Sequence, residues 1–159
     1  MALRKIVTKG DPILEKKCRT VEKFDDRLHQ LLDDMAETMY DAEGLGLAAP
    51  QVGMLKRAVV IDVGDGLIEL INPEIIESEG VQYEAEGCIS IPGEYYETIR
   101  PAKVKVKAQD RNGNWCEYEG EDLKARCFCH ELDHLDGVLF IERLNPNPVH
   151  TGETEGTEE

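Results

Sequence analysis

Residues His130-Glu131-Leu132-Asp133-His134 place two of the chain's four histidines four positions apart. On an α-helix, positions i and i+4 share a face, so both imidazoles reach one metal ion. Glu131 lies between them and off that face. It is no third ligand, but it is placed to take a proton from a water held by the metal. At this chain's histidine and glutamate content, HExxH arises by chance in roughly one chain of this length in a hundred. The motif therefore points to a metal hydrolase without saying which.

The third ligand separates the possibilities. His130 to Gly137 reads HExxHxxG, the start of a metzincin signature, but that signature needs a histidine at position 140, which is Phe140. A thermolysin-type site needs a glutamate on a second helix downstream. The late candidates are Glu142, then Glu153 and Glu155 in a Gly/Thr/Glu-rich stretch unsuited to a helix. Upstream, Glu86-Gly87-Cys88-Ile89-Ser90 offers Cys88. A thiolate and two imidazoles form a three-ligand set with one position open for water. Taken alone, Cys88 reads equally as a small buried hydrophobe, the commoner role of a free cysteine. A structural zinc module would need a fourth ligand. Only Cys127 or Cys129 lies nearby, and Cys129 points away from the face shared by His130 and His134.

A third segment, Gly44-Leu45-Gly46-Leu47-Ala48-Ala49-Pro50-Gln51, alternates small and apolar residues before an amide side chain. Gly44 and Gly46 allow a backbone to approach a ligand closely. The plainer reading is a helix-to-strand turn packed on the core. It is no phosphate loop, since no Lys-Ser/Thr follows and GxGxxG is not matched.

Together, in this order, the segments 44–51, 86–90 and 130–134 resemble the peptide deformylases, whose patterns are GφGφAAxQ, EGCφS and HEφDH. The likeness extends over roughly residues 3–143, including Leu3–Val7 with Gly10-Asp11-Pro12, and Leu135–Phe140. Cys129 departs from the glutamine that many members carry before the HE pair. The resemblance implies that Cys88, His130 and His134 hold one divalent metal. It implies that Glu131 is general base and then acid for a metal-bound water. Gln51 and the Ile89 backbone N–H would form the oxyanion site, beside Gly46. It also supplies the substrate, the N-formyl group of formylmethionyl nascent peptides, released as formate. Thiolate and imidazole suit Zn, Fe, Co or Ni. The resemblance implies Fe(II) in the cell, with Zn, Ni or Co replacing it in isolated protein. Cys127 and Leu123 precede His130 by three and seven residues and so share its face. With Leu45 and Ile89 they could line an apolar slot for a methionine side chain, although Leu123 fits ordinary core packing as well. Arg126 either covers the slot with its aliphatic stem or points to solvent.

The remaining features suit one cytoplasmic α+β domain. Residues 1–145 are long enough for a real core, and no apolar run is long enough to span a bilayer. Five cysteines without disulfide-like spacing favour a reducing compartment. A net charge of −15 argues against sustained DNA binding and for at most a transient ribosome contact. Leu28, Leu31, Leu32, Met35 and Met39 predict an amphipathic helix over about 25–41, with His29 off its apolar stripe and exposed. Residues 57–63 and 67–72 predict a hairpin stopped by Pro73, with further strands near 75–83, 102–109 and 115–119. Lys103, Lys105 and Lys107 share a solvated strand face. The metal helix is expected over 122–136, with Asp122 as N-cap and Gly137 after its end. The expected architecture is antiparallel strands packed around that helix.

Residues 146–159 read as an acidic, disordered tail. Truncation after Pro146 is expected to leave melting temperature and turnover unchanged. Ribosome co-sedimentation should not weaken either, because Glu153, Glu155, Glu158 and Glu159 would be repelled by a phosphate-rich surface. A clear drop in any of these three measurements would show that the tail docks.

Overall fold

Two helices sandwich a small antiparallel sheet, and the second carries the HExxH segment. The structure is a computed structural model and describes residues 2–146. The expected tail lies outside the described residues from position 147 onward. Helix α1 spans Asp26–Asp41 and is capped by Asp25, whose carboxylate accepts from Leu28 N–H at 3.1 Å. Strands β1 (Gly46–Ala48), β2 (Ala58–Ile61), β3 (Ile68–Glu79), β6 (Lys103–Gln109) and β7 (Trp115–Glu121) form one sheet in the order β1-β2-β3-β6-β7. Strands β4 (Gln82–Cys88) and β5 (Ile91–Arg100) form a separate two-stranded sheet. Helix α2 spans Leu123–Leu135.

The apolar run Ala58-Val59-Val60-Ile61 has no polar side because both faces of the sheet are covered. Ala58, Val60 and Ile71 pack with Leu28, Leu31, Leu32, Met35 and Met39 of α1. Val59, Ile61, Leu70, Val104, Val106 and Ala108 pack with Ala125, Phe128, Cys129, Leu132 and Leu135 of α2. Helix α2 is therefore buried along one side and presents its other side to the β4–β5 hairpin. After α2 the chain turns at Gly137, with φ 76°. A side chain there would also stand 2.6 Å from the Glu15 carbonyl, so glycine is required twice over.

Several sequence expectations needed correction. Pro73 does not stop its strand. It sits at a register shift between β3 and β6, between Ile71 and Glu74, the kind of place where a residue without an N–H is tolerated. Asn72 adopts φ 52° at that bulge, and its side chain bonds both the Val21 N–H and the Val21 carbonyl. The expected strand at 75–83 is the end of β3 and the start of β4. The rest of the β4–β5 hairpin, from Glu84 to Arg100, carries no strand signal in the sequence, because its outward residues Glu84, Tyr95 and Tyr96 give no clean apolar alternation. His29 is half-buried, not exposed, with Nε2 2.7 Å from the Arg111 carbonyl. Asp122 precedes α2, but its side chain makes no capping bond and its φ is 52°. The three β6 lysines do alternate with the buried Val104, Val106 and Ala108. Lys103 and Lys105 face Glu79, Glu117 and Glu119 at 3.6–3.9 Å, solvated pairs of little energetic weight.

Candidate metal centre

The helical spacing brings His130 and His134 together on the side of α2 that faces the hairpin. Cys88, the last residue of β4, meets them there: its Sγ lies 3.4 Å from His134 Nε2. The ligand atoms of Cys88, His130 and His134 all lie within 4.8 Å of one another. Both histidines are buried and Cys88 is half-buried. Cys127 and Cys129 are not part of this group. Cys129 packs in the core against α2's neighbours, and burial pushes its thiol up to about 11. A closed four-ligand site is therefore not formed among the described residues.

The electrostatics fit a cation. Burial disfavours a charged ring at His130, yet Glu131, Cys88 and Glu86 outweigh it and raise its pKa well above the ordinary imidazole range. Burial and the neighbouring His130 push His134 the other way, well below that range, which keeps its lone pair free. His130 uses Nδ1 toward the Glu86 carboxylate, so its Nε2 is left for the centre. Burial raises Glu86 but is overcome by hydrogen bonds from His130 and Arg100, which hold its carboxyl at about 2. A cysteine and two imidazoles, His130 oriented by Glu86, suit a divalent metal in this setting.

Glu131 is buried, and its Oε1 has no partner among the described residues. Burial raises its carboxyl to about 7 against the pull of His130, the range where a carboxylate both takes and returns a proton. The glycine loop explains how it fits. A methyl group on Gly46 would stand 2.7 Å from Glu131 Oε2 and 2.8 Å from its Cγ. Gly46→Ala is therefore expected to displace the carboxylate and lower turnover by roughly tenfold or more. Metal content should stay near normal. Unchanged steady-state turnover in that variant would show that the close approach has no catalytic consequence.

Gln51 is locked on both sides. Its Oε1 accepts from Ala48 N–H at 2.9 Å, while Nε2 donates to Ser90 Oγ at 3.1 Å and lies 3.5 Å from Cys88 Sγ. Ile89 occupies the turn between β4 and β5, and its side chain fills the space over Gly44 that any Cβ there would need. Leu45, Gly46, Gln51, Cys88, Ile89, Leu123, Arg126, Cys127, His130 and Glu131 all line one cleft of about 540 Å³. His134 is buried and does not line it. Arg126 resolves to the wall, its head donating to Gln82 Oε1 at 3.0 Å. Cys127 is pushed up to about 12 by burial, so it stays a neutral thiol.

Sequence reasoning missed the residues behind the Cys88/His130/His134 group. Glu86 stood inside a quoted motif but without a role. Arg100 and Thr98, which donate to it at 2.8 Å and 2.9 Å, lie on β5 and carried no local signal. Asp133 stood inside HExxH as an unread position. A buried arginine opposite a buried glutamate becomes visible only once β4 and β5 are paired.

Comparison with known proteins identifies the family. The family model "Polypeptide deformylase" matches residues 3–149. A peptide deformylase of Caldicellulosiruptor bescii is 62% identical over 144 residues, covering 91% of this chain and 87% of the relative. One from Agathobacter rectalis is 54% identical over 159 residues and 100% of both chains. The crystal structure of the Thermotoga maritima peptide deformylase superposes with a TM-score of 0.89 at 46% identity, over 91% of this chain and 99% of that one. A match of this extent, carried by a fold that places Cys88, His130 and His134 around one point, means that the chain belongs to the polypeptide deformylases, a family of hydrolytic enzymes.

Proposed function

We propose that this enzyme removes the N-terminal formyl group from formylmethionyl nascent peptides and releases formate. The observation that carries the reading is the convergence of Glu131, Gln51 and the Cys88/His130/His134 group at one cleft. Cys88, His130 and His134 would hold one divalent metal, which we take to be Fe(II) in the cell and replaceable by Zn, Ni or Co. That ion supplies Lewis acidity, making water a better nucleophile near neutral pH and polarising a carbonyl oxygen.

The chain's own groups do the rest. Glu131 takes a proton from the attacking water as its oxygen bonds to the formyl carbon. Charge then grows on the formyl oxygen. The Ile89 backbone N–H and the Gln51 amide, preorganised by Ala48 and Ser90, stabilise it. An oxyanion draws the Gln51 N–H away from its weak sulfur contact at 3.5 Å. The C–N bond breaks as Glu131 returns the proton to the departing amine, and the new carboxyl gives up its remaining proton to that amine, so water and the formyl amide become formate and a free α-ammonium group. Leu45, Ile89, Leu123, Cys127 and the stem of Arg126 would hold the methionine side chain. A reducing cytoplasm would keep the five cysteines, all free among the described residues, as thiols or ligand. No helix among the described residues is long and apolar enough to cross a membrane.

Formate release from a formyl-Met-Ala-Ser peptide, measured with metal analysis of the same sample, tests the reading. Metal-dependent formate release is expected. A metal-loaded enzyme that releases none, while cleaving internal peptide bonds, would favour a peptidase instead.

A further inference from the structure

A line of alternating charge runs from the surface to His130. Arg143, in the short 3-10 helix Phe140–Arg143, donates from Nε to Asp133 Oδ2 at 3.1 Å and from Nη2 to Oδ1 at 3.2 Å. Asp133 Oδ2 also accepts from Arg100 Nη1 at 2.6 Å. Arg100 donates from Nη2 to Glu86 Oε2 at 2.8 Å and from Nε to Oε1 at 3.2 Å. Glu86 then meets His130 Nδ1. Side-chain exposure falls from 46% at Arg143 through 17% at Asp133 to 4% at Arg100.

The topology gives this line a task. Strands β4 and β5 share no ladder with the five-stranded sheet, and their backbone ties run to the segment beyond α2, through the Thr98–Leu144 bridge and the Asn145 N–H that donates to the Glu97 carbonyl at 3.1 Å, rather than to the helix itself. Yet the hairpin carries Cys88 and the helix carries both histidines. Arg100, the last residue of β5, grips Asp133 on α2 with one edge and Glu86 on β4 with the other. A guanidinium is a rigid planar fork, so fixing one edge orients the other. We infer that Asp133 is a positioning residue for the metal centre: anchored by Arg143, it locks Arg100, and thereby fixes both the Cys88 hairpin against the helix and the Glu86 carboxylate against His130. The inference rests on the reading that Cys88, His130 and His134 hold a metal.

Asp133→Asn keeps the shape and removes the charge. The test loads each variant with Co(II) and compares the thiolate-to-cobalt absorption band and the rate of Co(II) loss to a chelator, at a temperature where every variant is fully folded by circular dichroism. Asp133→Asn is expected to shift the band and to lose Co(II) roughly tenfold faster or more, the usual consequence of losing a group behind a ligand. Arg100→Lys retains charge without the fork and should not preserve the parent behaviour. Arg143→Gln, at the half-exposed end, should move both readouts in the same direction by a smaller factor. Folded Asp133→Asn with the parent band and loss rate would overturn the inference. If that variant does not fold, Arg143→Gln with parent band and rate does so. A parent protein that takes up no Co(II) overturns the metal-site reading and this inference with it. Neither readout involves formyl peptide, so a wrong substrate assignment would leave these outcomes unchanged.

Discussion

Cys88→Ala is expected to strip the metal from the protein while leaving the fold standing. Cys88 supplies the one sulfur in the Cys88/His130/His134 group, and it is the only member of that group not on α2. Removing a group behind a ligand already costs 10–100-fold in affinity, so removing the ligand itself should drop bound metal below roughly a tenth of stoichiometry. The fold has other supports. Cys88 is half-buried at a strand end, and Leu14, Ile91, Leu139 and Phe140 pack together beside it. The Arg100 grip on Asp133 and Glu86 also remains. Elemental analysis after gel filtration, with far-ultraviolet circular dichroism on the same fraction, checks both halves. Stoichiometric metal in the alanine variant would sink the ligand assignment.

Glu131→Gln should leave metal content near normal and lower turnover by roughly 10²-fold or more, the usual worth of a positioned acid–base group. The substitution is close to isosteric. Among the described residues Glu131 Oε1 has no hydrogen bond to lose, and the contact of Oε2 with His130 Nε2 is long, at 4.0 Å. An amide also fits beside Gly46, where the carboxylate packs. What disappears is the ability to take the water's proton and return it to the amine. Steady-state kinetics on metal-matched samples give the answer. Near-parent turnover at equal metal content would mean that another group handles the proton.

The contrast between Cys88 and Asp133 shows how far the sequence reaches. His130, Glu131 and His134 are legible because the helical repeat alone decides that the two imidazoles share a face. Leu28, Leu31, Leu32, Met35 and Met39 mark α1 for the same reason, and Asp25 starts it. The glycine loop was legible as a place of close approach, although nothing local says that the approach is to Glu131. Cys88 needed a resemblance spanning three separated segments. Its distance from the histidines, 42 and 46 residues along the chain, leaves no periodic trace.

Local chemistry thus determined which residues could carry reaction chemistry and which helix would hold them. Tertiary structure alone decided how they are supported. Pro73 reads as a strand end but lies inside β3 at a register shift, where a missing donor is tolerated. The β4–β5 hairpin, polar on its open side, acquires its identity from strand pairing. That pairing carries Arg100 to Glu86, 14 residues away, and its packing on α2 carries Arg100 to Asp133, 33 residues away. Charged side chains so far apart in sequence have no pattern to announce them. They meet only when burial makes an unpaired charge too costly, and each then takes the partner that the fold has placed within reach.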